Sequence, residues 1–383
     1  MDSYDRRMQC DYYAAGRCHS CQWMDIPYPA QVRRKIEQVA SLIPAFPASR
    51  IEAHTSAEWN FRNKAKMAVG GTLDEPTLGL TTLHGDSTDL SHCPLYPPHI
   101  HEAFAHIKWF ITLARLTPYD LQTGRGELKF VLVTTSPAGD LLVRFVVRST
   151  ESLTRVRKFL PQFQERVPSS RVVTMNVLPQ HKAATEGDRE IYLTRRRELP
   201  MQLGGITLYL RPQSFFQTNT SMAQALYLRV SQIVDAIAPK ALWDLYCGVG
   251  GFALHAARPG RSVVGIEISE SAIECARLSA AQAGLQDVTF MAGDAPERAI
   301  SALKAGAGPE VVIVNPPRRG IGDELAHALR AAKIPAVVYS SCNPVSLARD
   351  IEALGCYQPE SVEIFDMFPH TGHTEVLTVL RRR

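Results

Sequence analysis

Two segments late in the chain carry side chains capable of covalent chemistry. Val338-Tyr339-Ser340-Ser341-Cys342-Asn343-Pro344 reads as an apolar strand ending at a cysteine, with a helix start just beyond. A thiol at a strand end faces a pocket mouth, and the helix N-terminus is expected to lower its pKa and raise its thiolate fraction. A buried cysteine acting as a small hydrophobe is the plainer alternative; the polar neighbours and the strand-end position weigh against it. Phe365-Asp366-Met367-Phe368-Pro369-His370-Thr371-Gly372-His373-Thr374-Glu375-Val376-Leu377 puts Glu375 at the edge of another hydrophobic strand, where a carboxylate can act as general base. His370, His373 and Glu375 also have the spacing of metal ligands, but ordinary hydrogen-bonded histidines fit the same pattern.

A third segment, Trp243-Asp244-Leu245-Tyr246-Cys247-Gly248-Val249-Gly250-Gly251-Phe252, follows a strand and opens a helix. Its glycines allow a tight turn and close backbone approach to a ligand. Val263-Val264-Gly265-Ile266-Glu267 is the next strand and ends in an acid that can accept two ribose hydroxyls. The loop is Asp-x-x-x-Gly-x-Gly-Gly rather than Gly-x-Gly-x-x-Gly, and Asp244 would repel a pyrophosphate. The same carboxylate would suit the sulfonium and ammonium groups of S-adenosylmethionine. Asp294 either binds an adenine amino group or caps the helix opened by Ala295-Pro296-Glu297. In Asn315-Pro316-Pro317-Arg318 the prolines stiffen the backbone and can aim Asn315 at a base edge. An aromatic in place of Arg318 would have favoured methylation of an exocyclic amine.

A thiolate, a base and a methyl donor together suit a ring carbon that is a poor nucleophile. Addition of sulfur to C6 of uracil turns C5 into an enolate carbon able to take a methyl group; a base then removes the C5 proton and the sulfur leaves. The uracil must leave its helical stack for C5 and C6 to be reached.

These residues need a scaffold that holds strand ends together. From about residue 240 onward, short apolar runs alternate with helical stretches: 242–245, 262–266, 288–291, 311–314 and 336–339, then terminal strands near 361–365 and 374–380. That alternation predicts an α/β fold with a mostly parallel sheet covered on both faces, its ligands beyond the carboxyl ends of the strands. Residues 47–205 read as a smaller, strand-rich α+β accessory domain. Residues 27–46 read as a helix, Tyr28 to Leu42, with Val32, Ile36 and Val39 on one stripe, and 1–26 as a cysteine-rich segment. The 206–383 stretch forms the catalytic domain.

Lys+Arg outnumber Asp+Glu by 26 to 21 in residues 1–200, against 16 to 17 in 201–383, so the positive excess sits in the first part. A basic accessory region could track phosphates, with Arg62, Lys64, Lys66, Arg125 and Lys129 as candidates; a solvated strand fits nearly as well. No apolar run reaches membrane-spanning length, and the N-terminus has no apolar signal core. A cytoplasmic monomer is the expectation, and the eight cysteines are then ligands or catalysts before they are disulfides.

Taken together, Ser214-Phe215-Phe216-Gln217-Thr218-Asn219, the Asp244–Gly251 loop, Asn315-Pro316-Pro317-Arg318, Ser340-Ser341-Cys342-Asn343-Pro344 and Phe368–Glu375 resemble the bacterial RNA (uracil-5-)-methyltransferases over essentially the whole chain. The resemblance implies a Rossmann-like class I S-adenosylmethionine-dependent methyltransferase domain. It makes Cys342 the nucleophile and Glu375 the base, and gives Gln217, Tyr246, Glu267 and Asn315 to the cofactor, alongside Asp244, Gly248 and Asp294. For Asn315, uracil contact is the alternative. Ribosomal members carry a [4Fe-4S] cluster whose ligand pattern maps to Cys10, Cys18, Cys21 and Cys93; by residue type alone, zinc would serve as well. The implied substrate is 23S ribosomal RNA, at uridine 747, with another rRNA or tRNA uridine as the alternative. Unlike a related subfamily, the chain shows no room for an OB-like RNA-binding domain before its cysteine segment. Amino-group or cytosine-C5 methylation, and a catalytically dead iron–sulfur RNA-binding protein, are the competing classes. Only Cys342 stands at a strand end of the kind cytosine enzymes fill with two cysteines.

Overall fold

A computed structural model describes residues 9–82, 86–180 and 184–383. The start of the cysteine-rich segment lies outside them. The chain forms two compact units, one of Met1–Ser20 with Glu58–Met201 and one of Cys21–Ala57 with Gln202–Arg383.

In the second unit an eight-stranded sheet runs Glu52–His54, Tyr357–Phe365, Glu375–Arg382, Ala336–Ser341, Val311–Val314, Ala241–Leu245, Ser262–Glu267, Val288–Ala292. All pairings are parallel except those of Glu375–Arg382, antiparallel to both neighbours. After Ala241–Leu245 the chain builds outward through two strands on one side, then returns to build on the other. The switch point therefore falls between Ala241–Leu245 and Val311–Val314, where such sheets open a crevice for ligands. Val311–Val314 is buried throughout, as a central strand covered on both faces must be.

The unit boundary differs from the one read at residue 47. Glu52–His54 pairs in parallel with Glu363–Phe365 and extends the catalytic sheet, a long-range pairing that a three-residue strand does not announce. The helix Tyr28–Leu42 forms over the expected residues, and Ile36 and Val39 of the expected stripe pack against the core, but the buried face is turned toward Gln31 and Lys35. Its buried positions are Gln31, Lys35 and Val39, because Lys35 and Gln31 find polar partners inside the unit. The helix Thr220–Ile237 was not foreseen; Asn219 caps it by accepting from Met222 N.

The other unit is a seven-stranded sheet ordered Ser87–Asp89, Pro76–Thr81, Lys64–Gly71, Leu128–Thr135, Leu141–Val147, Ser170–Val177, Arg189–Tyr192. Its one parallel pair, Leu141–Val147 with Ser170–Val177, is bridged by the helix Leu153–Arg166, as a parallel connection requires. Phe110, Phe145 and Phe163 meet at centroid distances of 5.0 to 6.4 Å between sheet and helices, a tilted aromatic cluster at the centre of the core.

Candidate active site

The glycine loop builds the first half of the site. Tyr246 sits at φ 64 and Gly250 at φ 85, so the turn demands left-handed backbone, and Tyr246 accepts it against its own preference. A Cβ on Gly251 would come within 2.5 Å of the Tyr227 ring, so only glycine lets the helix Gly251–Ala256 pack there. Around Gly248 nothing lies within 4 Å of where a Cβ would be. Gly248 N donates to Glu267 Oε2 at 3.2 Å and Ser269 N to Oε1 at 3.0 Å, so two backbone amides aim the Glu267 carboxylate.

Asp244 is fully buried. Its Oδ2 accepts from Ala253 N at 2.9 Å, while Oδ1 has no hydrogen-bond partner among the described residues. Burial, then the charge of Glu267, pushes its carboxyl up to about 7. A cation placed there would supply what the orphaned oxygen lacks. The open space over Gly248, the aimed Glu267 and the under-compensated Asp244 therefore fit a donor with a positive amino-acid end. Tyr246 is half-buried, its phenol pushed up to about 12 by burial and then by Asp294. Asp294 accepts from Glu297 N at 2.9 Å and so caps the helix Ala295–Lys304; capping is the role on display. Gln217 is buried in the turn before Thr220–Ile237, and its neighbour Phe215 is 71% exposed. A cavity of about 580 Å³ lined by Trp243, Val264, Met291, Asp294 and Arg298 opens beside the Ala295–Lys304 helix. It shares only Asp294 with the predicted donor residues and is not the donor cradle.

The second half gathers where Ala336–Ser341 and Glu375–Arg382 meet. Their antiparallel register pairs Ser341 with Val376; continued one step, it sets Cys342 opposite Glu375. Glu375 is buried, and Oε1 accepts from Ser340 Oγ at 2.5 Å and from Asn315 Nδ2 at 3.2 Å. Burial pushes the carboxyl up to about 7 against those two hydrogen bonds, near the optimum for a base working at neutral pH. Asn315 Nδ2 also donates to Ser340 O at 3.1 Å, so the side chain is turned toward the base rather than into the glycine loop.

The expected depression of the Cys342 pKa is not found. Burial raises it, the Glu375 charge raises it further, and the Arg318 side chain pulls the other way. Asn343 does cap the helix Pro344–Leu354, but a half-buried thiol beside a carboxylate feels desolvation more than a helix end. Arg318, read from sequence only as a missing aromatic, is thus the positive charge that acts on the sulfur. Its loop is pinned: Asn343 Nδ2 donates to Arg318 O at 2.9 Å, and buried Asp350 accepts from Ile321 N at 2.8 Å and Tyr339 Oη at 2.6 Å.

A buried polar cluster fixes the loop leading into Glu375. Lys35 Nζ reaches Asp366 Oδ1 at 2.6 Å and Phe368 O at 3.1 Å, and Tyr28 Oη donates to Asp366 Oδ2 at 2.8 Å. Gln31 accepts from His370 N at 2.7 Å, and its amide lies 3.2 Å from His370 Nδ1. Trp23 N donates to His370 O at 2.9 Å. His370 is therefore hydrogen-bonded, and His373 Nδ1 lies 3.3 Å from Arg318 Nη2. Among the described residues, the three-ligand grouping suited to a metal is Glu52, His54 and Glu363, not these histidines.

In the other unit, Cys10, Cys18 and Cys93 pack against the core. The Cys93 thiol is pushed up to about 11, by burial first and by the neighbouring Cys10 and Cys18. Of the basic candidates, Lys129 is buried: its Nζ donates to Gln180 O at 2.8 Å and lies 4.4 Å from the Tyr119 ring centre, so it serves the fold. Burial, then Lys66, lowers the Lys64 pKa, and exposed Lys66 donates to Thr185 Oγ1 at 2.8 Å. Arg62 bonds Lys64 O at 3.3 Å. Arg125 is exposed.

The tRNA (uracil-5-)-methyltransferase family model matches residues 195–383. The chain is 47% identical over 98% of its length to the 23S rRNA (uracil(747)-C(5))-methyltransferase RlmC of Edwardsiella ictaluri, covering 99% of that protein. The chain belongs to the RNA (uracil-5-)-methyltransferase family. Within this family, the RlmC enzyme of Yersinia pseudotuberculosis is 47% identical over 98% of the chain and 100% of its own length, and that of Escherichia coli O139:H28 46% over 97% and 99%. The tRNA (uracil-54, C5)-methyltransferase of Pyrococcus abyssi, solved with S-adenosyl-L-homocysteine, superposes with a TM-score of 0.79 at 25% identity, covering 94% of the chain and 85% of its own. As a uracil-5-methyltransferase, the chain has the α/β class I fold and takes its methyl group from S-adenosylmethionine. No helix among its described residues is long and apolar enough to cross a membrane.

Proposed function

We propose that this chain methylates C5 of uracil 747 in 23S ribosomal RNA, the position in the names of the RlmC relatives that align over nearly its full length. The observation that carries the chemistry is a thiol and a buried carboxylate at adjoining strand ends: the register ending at Ser341 and Val376 leads on to Cys342 and Glu375, and the Glu375 charge acts on the Cys342 thiol. Cys342 Sγ adds to C6, forming the C–S bond and moving the ring electrons onto C5. Arg318 favours the thiolate that this step needs. When bound, S-adenosylmethionine supplies the methyl group to C5; Asp244 and the Gly248 loop would hold its charged end and Glu267 its ribose, with Tyr246, Asp294 and Gln217 as further donor contacts. Glu375 then takes the C5 proton, and Cys342 leaves as thiolate. The uridine must be unpaired or flipped for Cys342 to reach C6. An rRNA substrate makes the cytoplasm the place of action and requires no partner subunit.

Cys10, Cys18, Cys21 and Cys93 hold a [4Fe-4S] cluster in this reading. Four thiolates with no carboxylate among them fit iron–sulfur ligation. Three of them pack against one core, and Cys21 follows Cys18 by three residues. Methyl transfer is redox-neutral, so the cluster's place is in structure or RNA docking. Iron and sulfide content of an anaerobic preparation tests it.

Cys342→Ala should lower methyl transfer at least about 1000-fold and abolish trapping of 5-fluorouracil-containing rRNA fragments on the protein. Wild-type transfer to a 747-hairpin transcript, and none when that uridine is replaced by cytidine, is expected. Persistent trapping in the variant would refute the covalent route.

A further inference from the structure

We propose that Ser340 is a positioning residue for proton abstraction: its hydroxyl, with the Asn315 amide, occupies Glu375 Oε1 and leaves Oε2 to take the C5 proton. This rests on Glu375 being the base. Ser340 Oγ donates to Oε1 at 2.5 Å and Asn315 Nδ2 at 3.2 Å, and no hydrogen bond reaches Oε2 among the described residues. Ser340 is fully buried on the strand Ala336–Ser341, and its own carbonyl accepts Asn315 Nδ2 at 3.1 Å. Hydroxyl and amide are thus fixed as a pair on one side of the carboxylate. In the elimination the C5–H bond breaks toward Oε2 and its electron pair becomes the C5=C6 double bond. The C6–S bond breaks, and its pair returns to Cys342.

The same two donors set when the base is ready. Burial pushes Glu375 up to about 7, and the Ser340 and Asn315 hydrogen bonds hold it from rising further. The titratable groups facing it are Cys342 beyond the Ser340 strand and Tyr227 on the helix Thr220–Ile237, both of which feel its charge. On the strand Tyr357–Phe365 the residue opposite is Phe365, which does not titrate. The Asn315 side chain completes the surroundings and carries no charge. With the Ser340 oxygen removed, the carboxylate loses a donor and binds its proton more tightly.

The test follows tritium release from [5-³H]uridine in substrate RNA under single turnover across pH, for wild type, Ser340→Thr and Ser340→Val. The two substitutions share a shape, but only threonine keeps the hydroxyl. The acid limb of release should move up by about one pH unit in Ser340→Val and stay in place in Ser340→Thr. Ser340→Ala, which removes only the oxygen, should show the valine shift and serves where valine is not accommodated. Coincident limbs in wild type and the hydroxyl-free variants overturn the inference, provided Glu375→Gln blocks release. Release by Glu375→Gln at the wild-type rate removes the base assignment itself, and the role of Ser340 with it.

Discussion

The donor cradle and the nucleophile–base pair stand at neighbouring strand ends of one sheet, yet they are held by different means. In the cradle, backbone amides do the holding: Gly248 and Ser269 on Glu267, Ala253 on Asp244, Glu297 on Asp294. At the pair, side chains from distant parts of the sequence do it: Ser340 and Asn315 on Glu375, Lys35 and Gln31 on the loop before it. Backbone donors are present whatever the residue and form wherever the turn forms. Side-chain donors exist only if one residue type is kept at one place. Apart from the glycines its turn demands, the cradle should therefore tolerate substitution around its carboxylates, while the pair should be brittle to changes far from it in sequence.

The comparison is broken most directly at the base. Glu375→Gln should lower turnover by about 100- to 10,000-fold while methylated RNA accumulates as an adduct on Cys342, resolved as a slow-migrating band in denaturing gels. Fast turnover with no adduct would mean that another group takes the proton.

Lys35→Met sharpens the contrast from a distance. It leaves Asp366 buried beside Tyr28 with no cation, and breaking a buried pair costs roughly 3–5 kcal/mol. Urea unfolding should register that loss, and Lys35→Met combined with Asp366→Leu should recover a good part of it. Turnover should fall in the single variant more than donor affinity does, because the loop leads to Glu375 and not to the cradle.

Asp244→Asn probes the cradle and is expected to have the smallest effect, raising KM for the donor about 10-fold. Its folded pKa is raised above the unfolded value of 3.8, so the folded state holds its proton longer. Without donor, the wild type is then progressively destabilised as pH rises from the unfolded value to about 7, by a few kcal/mol in order of magnitude. The asparagine variant should lack that slope: melting curves at low pH should nearly coincide with wild type, and at pH 8 the variant should melt higher.

Much of this was legible in advance because it is local. The alternation of short apolar runs and helices gave strands within a residue or two at 241–245, 262–267, 311–314 and 336–341. The glycine loop announced a tight turn, and Asp294 before Ala-Pro-Glu offered capping as one of two readings. The misreadings are non-local. Lys129 looked like an RNA contact because its charge is visible in sequence and its burial is not. Gln31 and Lys35 did not look like part of the helix's buried face, because a lysine is expected in water, whereas Ile36 and Val39 of the expected stripe do pack against the core. The Cys342 pKa was read from its own helix, whereas the surroundings that raise it come from Glu375 and burial.

By itself, the sequence determined the order of elements from about residue 240 onward, the position of each reactive side chain at a strand end, and the chemistry those types can perform. These depend on backbone geometry within a few residues. Tertiary structure alone decided that Cys342 faces Glu375, that Ser340 and Asn315 share one of its oxygens, and that a lysine near the N-terminus anchors the loop before the base. Each of those contacts joins residues from 25 to more than 300 positions apart, and no periodicity along the chain encodes which buried donor will meet which buried acceptor.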